Sequence, residues 1–315
     1  MLLCYMMYSS SSSELFLHPK VDQYGSHMVM TNVYRDSKKK YWNIDTQFRD
    51  DYQEYSSSSP TQYTFTLPQS INNVKNIRVV NMELPILFDN VSTTLGNHLF
   101  VIAYNSTEYT ITIPNGSYDI SALITKINAQ INATALNGKI AASNSGNYFV
   151  FTTSVSGSFV ITFSVGSFNN HLVSFDKYNI KSKLGWMLGF RELSYTLQDA
   201  TTLTSECVFD ILRPKYVYLA CDDFVNGGPN SFFSNLPQSV LNKNILAKIT
   251  LDNKMYPVGS TLPANLLNGY LQSDKRVYSG ITNLQRFKFQ LVNEYGFSLN
   301  LNGADFSFCL EIEYE

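Results

Sequence analysis

A chain of 315 residues is long enough to bury a large core without disulfide staples, and its 23 basic against 25 acidic side chains leave a net charge of -2. That balance excludes a whole-protein field for holding nucleic acid or an anionic membrane. Charged residues are 15% and aromatics 14% of the chain, against about a quarter charged in an average soluble domain, and Ser, Thr and Asn fill the gap, which favours strands and turns over helices.

The first sixty residues differ from the rest. Ser9 to Ser13 and Ser56 to Ser59 are serine runs, with Arg35, Lys38, Lys39, Lys40, Arg49, Asp50 and Asp51 between them. Such stretches cannot bury enough apolar surface to offset the entropy of ordering, so residues 1–60 are expected to form an extended arm. The arm nonetheless carries Tyr41, Trp42, Ile44 and Phe48, more apolar bulk than a solvated tail needs. The body or a neighbour should cover them.

Period-two alternation begins at Thr61, where Tyr63, Phe65 and Leu67 alternate with Thr64 and Thr66. Further strands are expected at Val74 to Leu84, Tyr109 to Ile113, Val208 to Leu212, Tyr216 to Leu219, Ile245 to Leu251, Phe287 to Leu291 and Phe306 to Ile312. Tyr148 to Thr153 and Phe159 to Phe163, flanking Ser156-Gly157, read as a hairpin. One helix stands out, because Ile120, Leu123, Ile124, Ile127 and Ile131 share a face and Asp119 or Ser117 is placed to cap it. Strand, turn, helix and hairpin suggest a small β-α-β subdomain at about 97–166, inserted into or appended to a body of 61–315. Many short strands with Gly, Asn and Pro turns make the chain all-β, a Greek-key sandwich or jelly roll.

Catalytic and metal motifs are missing from the linear sequence. His18, His27, His98 and His171 are scattered, and neither a nucleophile elbow nor a phosphate loop is present. No enzymatic activity, cofactor or metal is therefore expected. Asp50-Asp51 and Asp222-Asp223 read as solvated turn carboxylates. Cys4, Cys207, Cys221 and Cys309 are far apart, which suits free thiols in a reducing compartment. The apolar start from Met1 to Tyr8 lacks a basic flank and a cleavage site, and no apolar run is long enough for a transmembrane segment, so neither feature is expected. Lys38-Lys39-Lys40 beside Tyr41-Trp42 mixes charge with stacking groups, but three lysines are too few to expect specific nucleic-acid binding.

What the sequence does offer is contact chemistry. Tyr41, Trp42, Phe48 and Arg49 in the arm, Trp186 and Arg191 in the run Leu184 to Arg191, and Phe232 and Phe233 are the candidates for an assembly interface. Leu184 to Arg191 reads first as a core-filling loop, with Gly185 and Gly189 allowing close backbone approach, and only second as an intersubunit anchor.

Several segments, in order, resemble the minor capsid or penton-like proteins of large and giant double-stranded DNA viruses. They are Asn43 to Asp50 leading into Tyr63 to Pro68, then Asn81 to Pro85, Ile113 to Tyr118, Leu184 to Arg191 and Asn302 to Phe308. The resemblance covers about residues 43–315. It implies a jelly-roll sandwich, assembly into an icosahedral virion in the host cytoplasm, and no enzymatic role. The partners it implies are the major capsid protein, other minor capsid proteins and copies of itself, a pentamer included. A glycan- or receptor-binding sandwich, such as a viral fibre head, is the alternative that the aromatic residues leave open.

Overall fold

The computed structural model describes residues 37–49, 61–164, 179–225 and 244–315, apart from 213, 279, 281, 295 and 297. Two hydrophobic cores organise it, one in each of two β units.

The body is a sandwich. One sheet has the order β1 (Lys38–Asp45), β17 (Ser307–Tyr314), β3 (Val74–Pro85), β13 (Thr261–Asn265), with β15 (Arg276–Val277) also on β3. The facing sheet runs β14 (Leu271–Ser273), β12 (Ile245–Thr250), β11 (Tyr216–Asp222), β16 (Leu284–Asn293), β2 (Gln62–Ile71). The pairing is nested: β1 with β17, β2 with β16, β3 with β13 and β11 with β12, every pair antiparallel. A long hairpin rolled over on itself gives this order, and that is the jelly roll. The all-β expectation holds, with mostly antiparallel strands and few helices.

Side-chain alternation explains the layers. Phe287, Phe289 and Leu291 of β16 face Phe308, Leu310 and Ile312 of β17 across the core, while Arg286, Lys288 and Gln290 point away. Asn73 makes the corner from β2 to β3 at a φ of 57°, a conformation that Asn tolerates.

The body starts earlier than the sequence suggests. Lys38–Asp45, assigned to the arm, pairs with β17 along its full length. Its three lysines hid it by making the segment read as a polar run. In an edge strand they are at home, because charge discourages further strand addition. The remaining arm residues, 1–36 and 50–60, lie outside the described residues.

The insertion between β3 and β11 is also larger than expected. It contains β4 (Leu99–Tyr104), β5 (Thr107–Thr112), the helix Ile120–Asn132, β6 (Ile140–Ser145), β7 (Tyr148–Thr153), β8 (Ser158–Thr162), β9 (Ser194–Gln198) and β10 (Thr202–Thr204). Its core runs from Val91 to Ile211, well past 166, because Leu184, Met187, Leu188, Phe190 and Leu197 fill it. Asp119 caps the helix, accepting from the Ala122 amide at 2.7 Å. The expected hairpin of β7 and β8 is not formed: β7 pairs with β6 and β10, and β8 with β4 and β9. Both strands carry alternating Phe side chains into the same core, so the turn at Ser156-Gly157 passes between sheets. Val208 to Leu212 is not a strand; Val208 and Leu212 are exposed at the insertion's exit.

Candidate assembly surface

Strand register sorts the loops into two ends. Asp45 pairs with Ser307, Pro85 with Thr261 and Val217 with Asn293. The segment after β1, the insertion, the loop before β13 and the loop between β16 and β17 therefore share one end. Lys38, the turn at Asn73 and the end of β11 lie at the other.

Trp42 closes the open side of the sandwich. Its ring centroid lies 4.9 Å from that of Phe65 on edge strand β2 and 5.3 Å from that of Phe287. It is thus half-buried against the core and couples the two sheets where no described strand joins them. Tyr41 points outward and is 63% exposed. Its hydroxyl donates to Glu311 Oε2 at 2.9 Å, and Glu311 also pairs with Arg78 and Lys39. Burial opposes the charge on Glu311, yet the bonds from Arg78, Tyr41 and Lys39 win and lower its pKa.

Beyond β1 the chain makes a tight turn, Thr46–Phe48, pinned from several sides. Asp45 Oδ1 accepts from the Gln47 amide at 2.9 Å, and the Thr46 amide donates to the Phe306 carbonyl at 3.0 Å. Thr46 Oγ1 donates to Asp305 at 2.8 Å and accepts from the Phe306 amide at 2.9 Å. Arg49 is buried, bonding the Thr46 carbonyl at 2.7 Å and Asp305 at 2.5 Å. Arg49 thus fastens the turn from inside. Phe48, in contrast, stands 73% exposed on it.

In the insertion, Leu184, Met187, Leu188 and Phe190 are buried, so most of this run fills the core. A Cβ at Gly185 would overlap the Phe163 ring, and one at Gly189 would strike the Cys207 carbonyl. Trp186 stays half-buried at the surface, with the Arg191 guanidinium 4.0 Å and Lys181 Nζ 5.7 Å from its ring centroid. Arg191 Nη1 donates to the Trp186 and Phe190 carbonyls at 3.2 and 2.9 Å. Phe232 and Phe233 lie outside the described residues.

Between the two β units, at the insertion end, lies a cleft that the sequence did not reveal. Phe88, Leu95, Met187, Pro214 and Leu299 give it apolar walls, and Asn115 and Asn300 are among its polar lining. Asn90 organises its back. Its Nδ2 donates to the Tyr118 and Ile211 carbonyls at 2.8 and 2.9 Å, and its Oδ1 accepts from the Tyr118 amide at 2.9 Å. This buried amide ties the insertion's entry to its exit.

Asp223 also departs from expectation. It is buried, bonded to Arg276 at 3.0 Å and to the Tyr278 hydroxyl at 2.6 Å, whereas Asp222 is the exposed turn carboxylate. Cys207, Cys221 and Cys309 are free thiols, and burial pushes Cys221 up to about 12. Among the described residues, no group of His, Cys, Asp and Glu could hold a metal ion, and no helix is long and apolar enough to cross a membrane.

No protein-family model and no curated relative matches the chain. Solved structures similar to it include two viral proteins. The mavirus penton protein is 12% identical, with 89% of this chain and 100% of that chain covered and a TM-score of 0.44. A chain of the Sputnik virophage particle is 15% identical, with 88% and 98% covered and a TM-score of 0.42. Both are virophage structures, whereas the sequence resemblance pointed to large and giant viruses.

Proposed function

We propose that this protein is a structural component of an icosahedral virion, a penton or other minor capsid protein, that works by subunit assembly in the host cytoplasm. Its partners on this reading are copies of itself, the major capsid protein and other minor capsid proteins. The large or giant DNA virus is named by the sequence resemblance alone.

The observation that carries the reading is the rigid display of Phe48. An exposed aromatic costs solvation free energy, and a turn fastened by Asp45, Thr46, Arg49 and Asp305 has little conformational freedom left to lose on contact. A sandwich presenting such a residue suits permanent docking. The alternative of sugar stacking at Trp186 is less well supported, because Arg191 covers its ring. The test is sedimentation of the purified chain over a range of concentrations, together with co-expression with the major capsid protein. Self-association and incorporation into particles are expected. A monomer at every concentration that stays out of particles overturns the reading.

A further inference from the structure

Phe48 and the cleft lie at the same end of the molecule but belong to different places on it. The turn follows edge strand β1, whereas the cleft sits between the insertion and the segment Asn293 to Asn300. We infer that Phe48 of one copy seats in the cleft of the next, so that copies join head to tail and close into a ring. This rests on the assembly reading above and names the contact.

Three observations favour a second copy as the occupant. First, the two surfaces match in kind: an exposed phenyl ring meets apolar walls formed by Phe88, Leu95, Met187, Pro214 and Leu299. Second, the charges described on the turn and among the cleft residues have partners within the chain. On the turn, Arg49 pairs with Asp305 and Asp45 accepts from the Gln47 amide. In the cleft, Glu294 accepts from the Lys215 amide at 3.3 Å, Asp89 from Asn302 at 3.3 Å, and Lys181 lies by the Trp186 ring. A neutral aromatic knob can enter without stranding a charge, whereas a phosphate backbone or acidic peptide would find no cationic cluster among the described residues of the cleft, where Lys181 already lies by the Trp186 ring. Third, projection and recess are distinct patches on one chain. Each copy then offers both halves of a heterologous contact, the kind that forms rings when its rotation closes.

The test uses the full chain and two variants. Phe48→Asp disables the projection, and Thr94→Trp fills the cleft from an exposed position on its lining. Circular dichroism melts matching the wild type establish that each is folded, and Phe48→Trp provides a conservative control that retains association. Sedimentation velocity is expected to give rings for the wild type and association weakened about thirtyfold or more for either variant, the scale of a hot-spot loss. Mixed one to one, the variants retain one intact projection and one intact cleft between them, so the mixture should stop at dimers.

If each variant assembles like the wild type, the inference fails while the assembly reading survives, and the cleft has another occupant. A mixture that stays monomeric also overturns the pairing. A wild type that never associates removes both this inference and the reading beneath it.

Discussion

The two β units are built by opposite strategies. In the body the first strand pairs with the last, so Lys39 and Tyr41 meet Glu311 across separations of 272 and 270 residues. In the insertion, β4–β5 and β6–β7 pair between neighbours in sequence, and the helix Ile120–Asn132 packs close by. Loop-closure entropy delays long-range pairs. The insertion is therefore placed to order first, with the body sealing around it once β17 arrives. The cores differ accordingly. The insertion stacks Phe149, Phe151, Phe163 and Tyr195 around Phe190, whereas the body pairs apolar layers with a buried Arg276–Asp223–Tyr278 cluster.

The chain has two tryptophans, and each unit holds one, Trp42 in the body and Trp186 in the insertion. Trp42→Phe and Trp186→Phe variants therefore report the units separately. On the Trp186 reporter, Phe190→Ala should destabilise by about 3–5 kcal/mol, the usual cost of emptying a buried phenyl site. The Trp42 signal should move much less. Equal shifts in urea melts of both single-tryptophan proteins would make the units one cooperative block.

The body has its own counterpart. Asp223→Ala leaves the buried Arg276 guanidinium without its carboxylate, which costs about 3–5 kcal/mol when a buried pair loses one member. Trp42 should register the loss. Replacing Arg276 and Asp223 together by Met and Leu should cost markedly less, because no charge remains to be desolvated. If the double variant is as unstable as the single one, packing rather than charge sets the energy there.

The contrast also explains what was readable in the sequence. Strands with one apolar face, such as Phe287 to Leu291, declare themselves because alternation is local, and so does the helix with its Asp119 cap. The same local pattern cannot say which strand is the neighbour. That is why the Phe-rich runs of β7 and β8 looked like a hairpin, and why the insertion's edge at Ile211 was missed. β1 was hidden by lysines that only its edge position makes sensible. Among the contact candidates, Phe48 was picked out by its aromatic type, whereas its exposure on the turn was visible only in the fold. The Arg49 role was not legible in the sequence, because it depends on Asp305, which is 256 residues away. The cleft and the role of Asn90 left no signal, since the first exists only where two units meet and the second only where the insertion's entry and exit close on each other.

Asn90 is where the comparison can be sharpened. Its amide bonds entry, middle and exit of the insertion together, so Asn90→Ala strands the Tyr118 amide and the Ile211 carbonyl. Each unsatisfied buried group costs about 1–3 kcal/mol. The insertion should loosen relative to the body, with the Trp186 transition shifting more than the Trp42 transition. Amide hydrogen exchange should rise at Tyr118. Unchanged protection there would mean that the neighbouring contacts hold the junction without this side chain.

The smallest effect concerns acid and should fall on the body alone. Glu313 on β17 accepts from Lys275 at 2.8 Å and Asn76 at 3.0 Å, and these bonds with Ser37 hold its carboxyl down at about 2. An unfolded Glu titrates near pH 4.3, so between those values the unfolded chain binds more protons than the folded one. Stability must then rise with pH across that window. The contribution is complete above about pH 5 and is lost as the pH falls toward 2, and Glu311, shifted in the same direction, adds to it. Glu313→Gln should flatten this acid limb on the Trp42 reporter, so that the variant and wild-type melting temperatures converge near the lowest pH. The Trp186 reporter should show no such difference. Because Lys275 is partly exposed, salt should shrink the effect by screening it. An acid limb equally steep in both proteins would assign the titration to other carboxylates and detach it from strand β17.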